Sequence, residues 1–184
     1  ISDDRLLKIL LKYLENEFKG IPVVWDPVLT GTAGDLHSVD LKAYLKDILK
    51  HTTIFTPNLN EALELASWSK EDFKQKGVKA LAQVFLDLGC QNVVIKGGHN
   101  IENTDAKDYF ASKEVSFFLV CPKVEGLGAH GGGCALSSSL AAFLANDFAP
   151  HDAMVLAKAY VTGGIKEPAH EVLEQNDLRP PIGH

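Results

Sequence analysis

The chain lacks the features that mark several specialised classes of protein. Its three cysteines, Cys90, Cys121 and Cys134, are odd in number and show no Cys-x-x-Cys spacing. This argues against a disulfide framework or a cysteine metal site, and predicts a reducing, cytoplasmic environment. No apolar run approaches the roughly 20 residues of a transmembrane helix, and no signal-peptide pattern precedes the first predicted helix. Without repeats, low-complexity segments or an evident linker, residues 1–184 are expected to form a single domain.

Positive charge is also in short supply. The chain has 18 Lys and Arg residues against 24 Asp and Glu, a formal net charge of −6. This balance argues against binding to nucleic acid or to an anionic membrane surface. The 46% of hydrophobic residues and 23% of charged residues are typical of a globular protein with a substantial core.

The apolar pattern predicts an α/β domain. Helical spacing recurs in segments such as 2–18, with Ser2 as a candidate N-cap, and 151–162, whereas segment 29–38 is expected to be a loop. Short apolar runs predict buried strands at 21–25, 52–56 and 92–96, and an edge hairpin at 107–112 and 115–121. Strands and helices with short connections indicate a doubly wound, mostly parallel sheet with helices on both faces. Ligands bind such sheets at the carboxyl ends of the strands.

A glycine-rich stretch at 126–133 runs into a helical pattern that carries Cys134 at its start. Free N–H groups and the dipole at a helix N-terminus favour an anion, so Gly131, Gly132 and Gly133 form a candidate anion site. The alternative is that these glycines only permit a tight turn and that Cys134 is a small packing residue.

Polar residues follow each of the three predicted buried strands. Asp26 is either a turn residue before Pro27 or a metal or substrate contact, and Lys96-Gly97 is either a solvated strand end or a phosphate contact. Asn58 and Glu61 fit a capping box, or alternatively a Mg²⁺ site near the phosphates of a nucleotide. All of these residues are expected at one edge of the sheet, and this agreement favours the functional interpretation of each over the structural one.

Five motifs occur in an order that resembles one family. They are Val23-Val24-Trp25-Asp26-Pro27-Val28, Thr56-Pro57-Asn58-Leu59-Asn60-Glu61-Ala62, Val94-Ile95-Lys96-Gly97-Gly98-His99, His130-Gly131-Gly132-Gly133-Cys134-Ala135-Leu136-Ser137 and Ala157-Lys158-Ala159-Tyr160-Val161-Thr162-Gly163. The chain resembles, from about residue 22 to 165, the hydroxymethylpyrimidine/phosphomethylpyrimidine kinases of thiamin biosynthesis, in the ribokinase-like superfamily.

The resemblance implies an ATP- and Mg²⁺-dependent phosphotransferase, acting on the hydroxymethyl group of an aminopyrimidine or its monophosphate, and commonly a homodimer. It implies the following roles: Cys134 as the base for the attacking hydroxyl; Gly131, Gly132 and Gly133 as the anion hole; Lys96 as a phosphate contact; Asn58, Glu61 and Gly97 at the nucleotide; Asp26 and Glu61 at the metal. Ala157 and Val161 are expected at the adenine-side wall, although helix packing explains them equally well. A thiol at a helix N-terminus has its thiolate favoured, which suits a base.

The chain departs from the family pattern in two places. The family loop usually reads Thr-His-Gly-Thr-Gly-Cys-Thr, whereas Ala129, Gly132 and Ala135 stand here in place of the threonines. The N-terminal βαβ segment with a Gly-Ser-Asp motif is not matched, so this chain is expected to be a carboxyl-terminal portion with an open sheet edge or an exposed apolar face. A pyridoxal-type kinase and a degenerate, non-catalytic nucleotide-binding homologue remain the alternative functions.

Overall fold

A computed structural model describes residues 3–31, 34–35, 40–97, 105–122 and 132–166, which form six helices and seven strands. The helices are α1 (Asp4–Glu15), α2 (Leu41–Leu49), α3 (Leu59–Ala66), α4 (Lys70–Asp87), α5 (Gly132–Ala145) and α6 (Pro150–Lys166). The strands are β1 (Val24–Trp25), β2 (Thr30–Gly31), β3 (Gly34–Asp35), β4 (Ile54–Phe55), β5 (Asn92–Ile95), β6 (Asp105–Ser112) and β7 (Ser116–Pro122).

Five of the strands form one mixed sheet in the order β1-β4-β5-β6-β7. β1, β4 and β5 pair in parallel, whereas β6 and β7 form an antiparallel hairpin joined to β5. The predicted hairpin is therefore confirmed. Of its two strands, β7 lies at an edge of the sheet that the described residues form, whereas β6 lies between β5 and β7. The parallel pairing brings the carboxyl ends of three strands to the same edge of the sheet.

Helices cover both faces of this sheet, as the sequence predicts. Alternate strand residues point to opposite faces, so Phe55 and Val93 join a core cluster with residues of α2, α3 and α4. Their neighbours Ile54 and Val94 join a second cluster with residues of α5 and α6. Both residues of β4 and the last three residues of β5 are apolar, because both faces of these strands are buried.

The ends of several elements differ from the sequence expectations. The cap of α1 is Asp3, whose carboxylate accepts the N–H of Arg5, so the assignment of Ser2 as N-cap was wrong. A short antiparallel pair, β2 and β3, lies in the segment expected to be a loop. Gly77 interrupts α4 with φ 76°, a conformation that a residue with a side chain rarely adopts.

One edge of the structure leaves apolar side chains uncovered. In the described ranges the sheet ends at β1, which pairs only with β4. The neighbouring helix α1 exposes Leu6, Ile9 and Tyr13, each close to half of its surface. This agrees with the expected open edge or exposed apolar face. No helix among the described residues is long and apolar enough to cross a membrane.

Candidate active site

The three parallel strands bring their terminal polar residues together. Asp26 follows β1, Asn58 follows β4 by three residues, and Lys96 directly follows β5. Lys96 continues the sheet for one residue as a parallel bridge to Asn58, and its backbone N–H donates to the carbonyl of Pro57 at 2.9 Å. The predicted meeting of these residues at one edge is therefore present in the structure.

Lys96 and Asp26 form a largely buried ion pair. The Lys96 Nζ lies 2.8 Å from Asp26 Oδ1, and the two side chains are 15% and 12% exposed. Neighbouring strands lie about 4.8 Å apart, and β4 separates β5 from β1, so the lysine side chain must cross the end of β4 to reach the aspartate. This crossing holds the ammonium above the strand ends.

The N-terminus of α5 lies beside this ion pair. A Cβ atom placed on Gly133 would be 3.2 Å from Lys96 Nζ and 3.8 Å from Asp26 Oδ2. One turn later, Ser137 Oγ lies 3.4 Å from the same Asp26 oxygen, a contact that sequence reasoning did not assign. The first-turn N–H groups of a helix have no partner within the helix. Donors and an ammonium group therefore share one small region, which favours an anion there.

The other residues of the glycine motif fall at or before the same helix start. Gly132 opens α5, and Cys134 follows in its first turn with an exposed side chain. Gly131 lies outside the described residues. The proposed base is thus accessible and placed at the helix N-terminus.

Asn58 and Glu61 form the capping box that was one of the two interpretations of this motif. Asn58 Oδ1 accepts the Glu61 N–H at 2.9 Å, and Glu61 Oε2 accepts the Asn58 N–H at 2.7 Å. Burial raises the pKa of Glu61 against the opposing effects of the Asn58 N–H and the charge of Lys96, and the charge of Asp26 raises it further. The capping role does not exclude a second role toward a metal, which stays a prediction.

Gly97, Ala157 and Val161 occupy tightly packed positions. A Cβ on Gly97 would overlap the carbonyl oxygen of Lys107, so the close approach of two strands requires glycine there. Ala157 and Val161 are buried in the core cluster beneath α6. Helix packing explains the position of both residues, and this position does not support a contact with the adenine ring.

Sequence reasoning missed a second buried ion pair close by. Lys158 Nζ lies 2.7 Å from Asp108 Oδ2, and Asp108 Oδ1 accepts the N–H of Gly97 at 3.0 Å. The sequence did contain a signal for this pair: Asp108 lies two residues before the buried Phe110, and therefore on the same face of β6. A charged residue at an inward-facing position of a strand needs a partner.

The carboxylates of the site suit a metal that arrives with its ligand. No group of three or more His, Cys, Asp or Glu side chains suited to a metal occurs in the described part of the chain. Mg²⁺ commonly uses one or two carboxylates, with waters and phosphate oxygens completing its shell. Asp26 and Glu61 supply two such carboxylates at the strand ends, and the charge of Asp26 contributes to the raised pKa of Glu61.

Solved structures share this architecture. The chain superimposes on the ADP complex of Bacillus subtilis pyridoxal kinase with a TM-score of 0.78 at 26% identity, covering 98% of this chain and 65% of the other. For Staphylococcus aureus pyridoxal kinase in complex with AMP-PCP and pyridoxal, the TM-score is 0.75 at 29% identity, with 96% and 63% covered. The structure is therefore an α/β domain of the ribokinase-like class.

The sequence comparison narrows this class. The chain belongs to the phosphomethylpyrimidine kinase family, whose sequence model matches residues 1–177. It is 31% identical over 163 residues to a putative pyridoxine kinase of Staphylococcus aureus (strain COL), covering 88% of this chain and 57% of that protein. It is 30% identical over 167 residues to the hydroxymethylpyrimidine/phosphomethylpyrimidine kinase of Rhizobium meliloti (strain 1021), covering 90% and 61%. The chain thus spans about three fifths of the length of these relatives.

Proposed function

We propose that this chain carries the phosphoryl-transfer site of an ATP- and Mg²⁺-dependent kinase. Its substrate is 4-amino-5-hydroxymethyl-2-methylpyrimidine, phosphorylated on its hydroxymethyl group, or the monophosphate of that pyrimidine, phosphorylated on its phosphate. The observation that carries the proposal is the proximity of Gly133, in the first turn of α5, to the Lys96 ammonium. Phosphoryl transfer depends on positioning and charge stabilisation, which N–H donors and a lysine at one point supply.

Each residue of the site has a role in this proposal. The N–H groups of Gly131, Gly132 and Gly133 receive the charge of the transferring phosphoryl group, and Lys96 contacts the same oxygens. Cys134 accepts the proton of the attacking hydroxyl, for which its exposed position at the helix start is suitable. Asp26 holds Lys96 in place through the 2.8 Å ion pair.

Asp26 and Glu61 are the proposed carboxylates for Mg²⁺, with Asn58 and Gly97 beside the nucleotide. When bound, Mg²⁺ would neutralise part of the phosphate charge. Asn58 fixes Glu61 through the two reciprocal hydrogen bonds of the capping box. Glu61 therefore keeps one orientation at the strand ends.

A pyridoxal-type kinase is the second candidate, because several similar proteins and structures carry that name. The Staphylococcus aureus relative is a putative pyridoxine kinase, and the two structures described above are pyridoxal kinases. Both candidate substrates present a hydroxymethyl group on an aromatic nitrogen ring, so the same transfer site serves either. A degenerate homologue without catalysis is the third candidate; the missing loop threonines favour it, whereas the retained Asp26, Lys96 and Cys134 argue against it.

Turnover separates these three functions. The test measures ADP release by the whole protein that contains this chain, with the pyrimidine, its monophosphate and pyridoxal as substrates. The proposal expects the highest kcat/KM with one of the two pyrimidines. A preference for pyridoxal would favour the second candidate, and no ADP release with any of the three substrates would favour the third.

The proposed base is tested by Cys134→Ala. A general base contributes about 10²- to 10⁴-fold to the rate, so kcat should fall by that order. Cys121→Ala is the matched control, since Cys121 lies on β7, which β6 separates from β5 in the sheet. Turnover that survives Cys134→Ala unchanged would remove Cys134 from the mechanism. A homodimer in the cytoplasm stays a prediction, which light scattering of the purified protein would examine for the oligomeric state.

A further inference from the structure

A second lysine–aspartate pair is attached to the candidate site through the backbone. Lys158 of α6 and Asp108 of β6 lie 2.7 Å apart, with side chains 14% and 5% exposed. Removing two charges from water costs free energy that their attraction only partly returns. A pair this deeply buried is therefore weak evidence for stability, and another role can be sought in what it contacts.

The pair contacts the residue that follows Lys96. Asp108 has two carboxylate oxygens with different partners: Oδ2 accepts from Lys158 and Oδ1 accepts from the Gly97 N–H at 3.0 Å. Regular pairing between β5 and β6 ends at Ile95 and Tyr109. The side chain of Asp108 thus supplies an acceptor for a backbone N–H just beyond the regular ladder.

Lys96 is consequently fixed on both sides. On the side of α3, its backbone N–H donates to Pro57 and its carbonyl accepts from Leu59 at 3.2 Å. On the side of β6, the peptide that joins it to Gly97 is held by Asp108. A long, flexible side chain reaches a defined point only when its backbone origin is fixed, so the Lys96 ammonium depends on both attachments.

We propose that Asp108, oriented by Lys158, is a positioning residue for Lys96 during phosphoryl transfer. This inference rests on the proposed function. The carboxylate fixes the Lys96–Gly97 peptide, and Lys158 keeps the carboxylate turned toward that peptide. Neither side chain touches the reacting groups, and their effect on the rate passes through Lys96.

Two double variants separate positioning from the loss of a buried ion pair. Asp108→Asn/Lys158→Met removes both charges but keeps a side-chain oxygen that can accept the Gly97 N–H. Asp108→Leu/Lys158→Met removes both charges and the acceptor with similar volume. Each is prepared alone and combined with Lys96→Met in the whole protein. The measurements are kcat and KM for ATP, thermal unfolding, and hydrogen exchange of the Gly97 amide.

The leucine variant should lower kcat by about 10- to 100-fold, the order of loss that misplacement of a reacting group causes, and should speed exchange at Gly97. The asparagine variant should show a much smaller fall in kcat and a much smaller rise in the exchange rate of the Gly97 amide. In the Lys96→Met background, the leucine variant should cause no further loss of kcat, because the two changes act through one group. Equal kcat values for the two double variants, or a full additional loss in the Lys96→Met background, would overturn the proposal.

The experiment also decides the proposal if a variant does not fold or if the unchanged protein is inactive. If the leucine variant does not fold, Asp108→Ala/Lys158→Met removes the same acceptor without added bulk and is judged by the same comparison. If the unchanged protein releases no ADP with any of the three substrates, the proposed function fails and the positioning role fails with it. The positioning role alone would be overturned if the protein is active, Lys96→Met lowers kcat, and the change at Asp108 lowers kcat by the same factor with or without Lys96→Met.

Discussion

Replacing Gly133 by alanine tests whether the helix start and Lys96 act on the same anion. The new methyl group would lie 3.2 Å from Lys96 Nζ, so the ammonium must move by a few tenths of an ångström. The methyl group would also lie 3.8 Å from Asp26 Oδ2, the partner carboxylate of Lys96. We expect kcat to fall by about 10- to 100-fold, because such displacements spoil the geometry of the transition state.

Stability should change much less than activity in this variant. Alanine is favoured over glycine inside helices by roughly 0.5–1 kcal/mol. This gain opposes the cost of disturbing the largely buried Lys96–Asp26 pair. The two effects should nearly cancel, which leaves the Tm within about 3 °C of the parent value.

Gly163→Ala is the matched control. Gly163 lies in α6, and a Cβ there would meet no atom within 4 Å. Its replacement should therefore raise the Tm by about 1–4 °C, the equivalent of roughly 0.5–1 kcal/mol, with kcat unchanged. ADP release and thermal unfolding measure both properties on both variants. A Gly133→Ala protein with the kcat of the parent would refute the shared anion site.

Three further predictions concern neighbouring groups. Glu61→Gln should raise the Tm, more at pH 8 than at pH 5, while exposed Glu64→Gln should not. Because folding raises the pKa of Glu61, its ionisation carries no penalty below the unfolded pKa, and the penalty grows as pH rises from the unfolded pKa through the folded pKa. Equal Tm changes at both pH values would contradict this. Gly97→Ala should destabilise the fold by about 1–3 kcal/mol in denaturant unfolding, because its methyl would overlap a backbone carbonyl of β6, and an unchanged midpoint would show that the strands can separate. Iodoacetamide should modify exposed Cys134 and spare Cys90, since burial raises the pKa of the Cys90 thiol to about 12. Mass spectrometry of the alkylated protein identifies the modified cysteine, and alkylation of Cys90 before Cys134 would contradict the buried position.

The local pattern predicted most of the elements and the edge of the sheet that carries the site. Short apolar runs ending in Asp26, Asn58 and Lys96 predicted parallel strands with polar carboxyl ends. The spacing of Asn58 and Glu61 indicated a capping box as one of two interpretations, and both of its hydrogen bonds are present. These features depend on neighbours within a few residues, so the sequence carries the information directly.

Two side-chain contacts escaped prediction because each joins residues that are far apart in the sequence. The contact of Ser137 with Asp26 joins residues 111 positions apart, and the pair of Lys158 with Asp108 joins residues 50 apart. The short pair of β2 and β3 was also missed, since four strand residues carry little periodicity. The position of Asp3 as the N-cap of α1 differs from the expectation by one residue, the usual uncertainty of helix ends.

By itself, the sequence determined the alternation of strands and helices, the glycine-rich start of α5 and the set of polar residues that end the parallel strands. Only the tertiary structure decided that Lys96 crosses β4 to pair with Asp26 beside Gly133. It also decided that Ala157 and Val161 pack in the core and that Asp108 holds the peptide after Lys96. The physical reason is that periodicity and capping are local properties, whereas an ion pair across a sheet exists only after the strand order has been set.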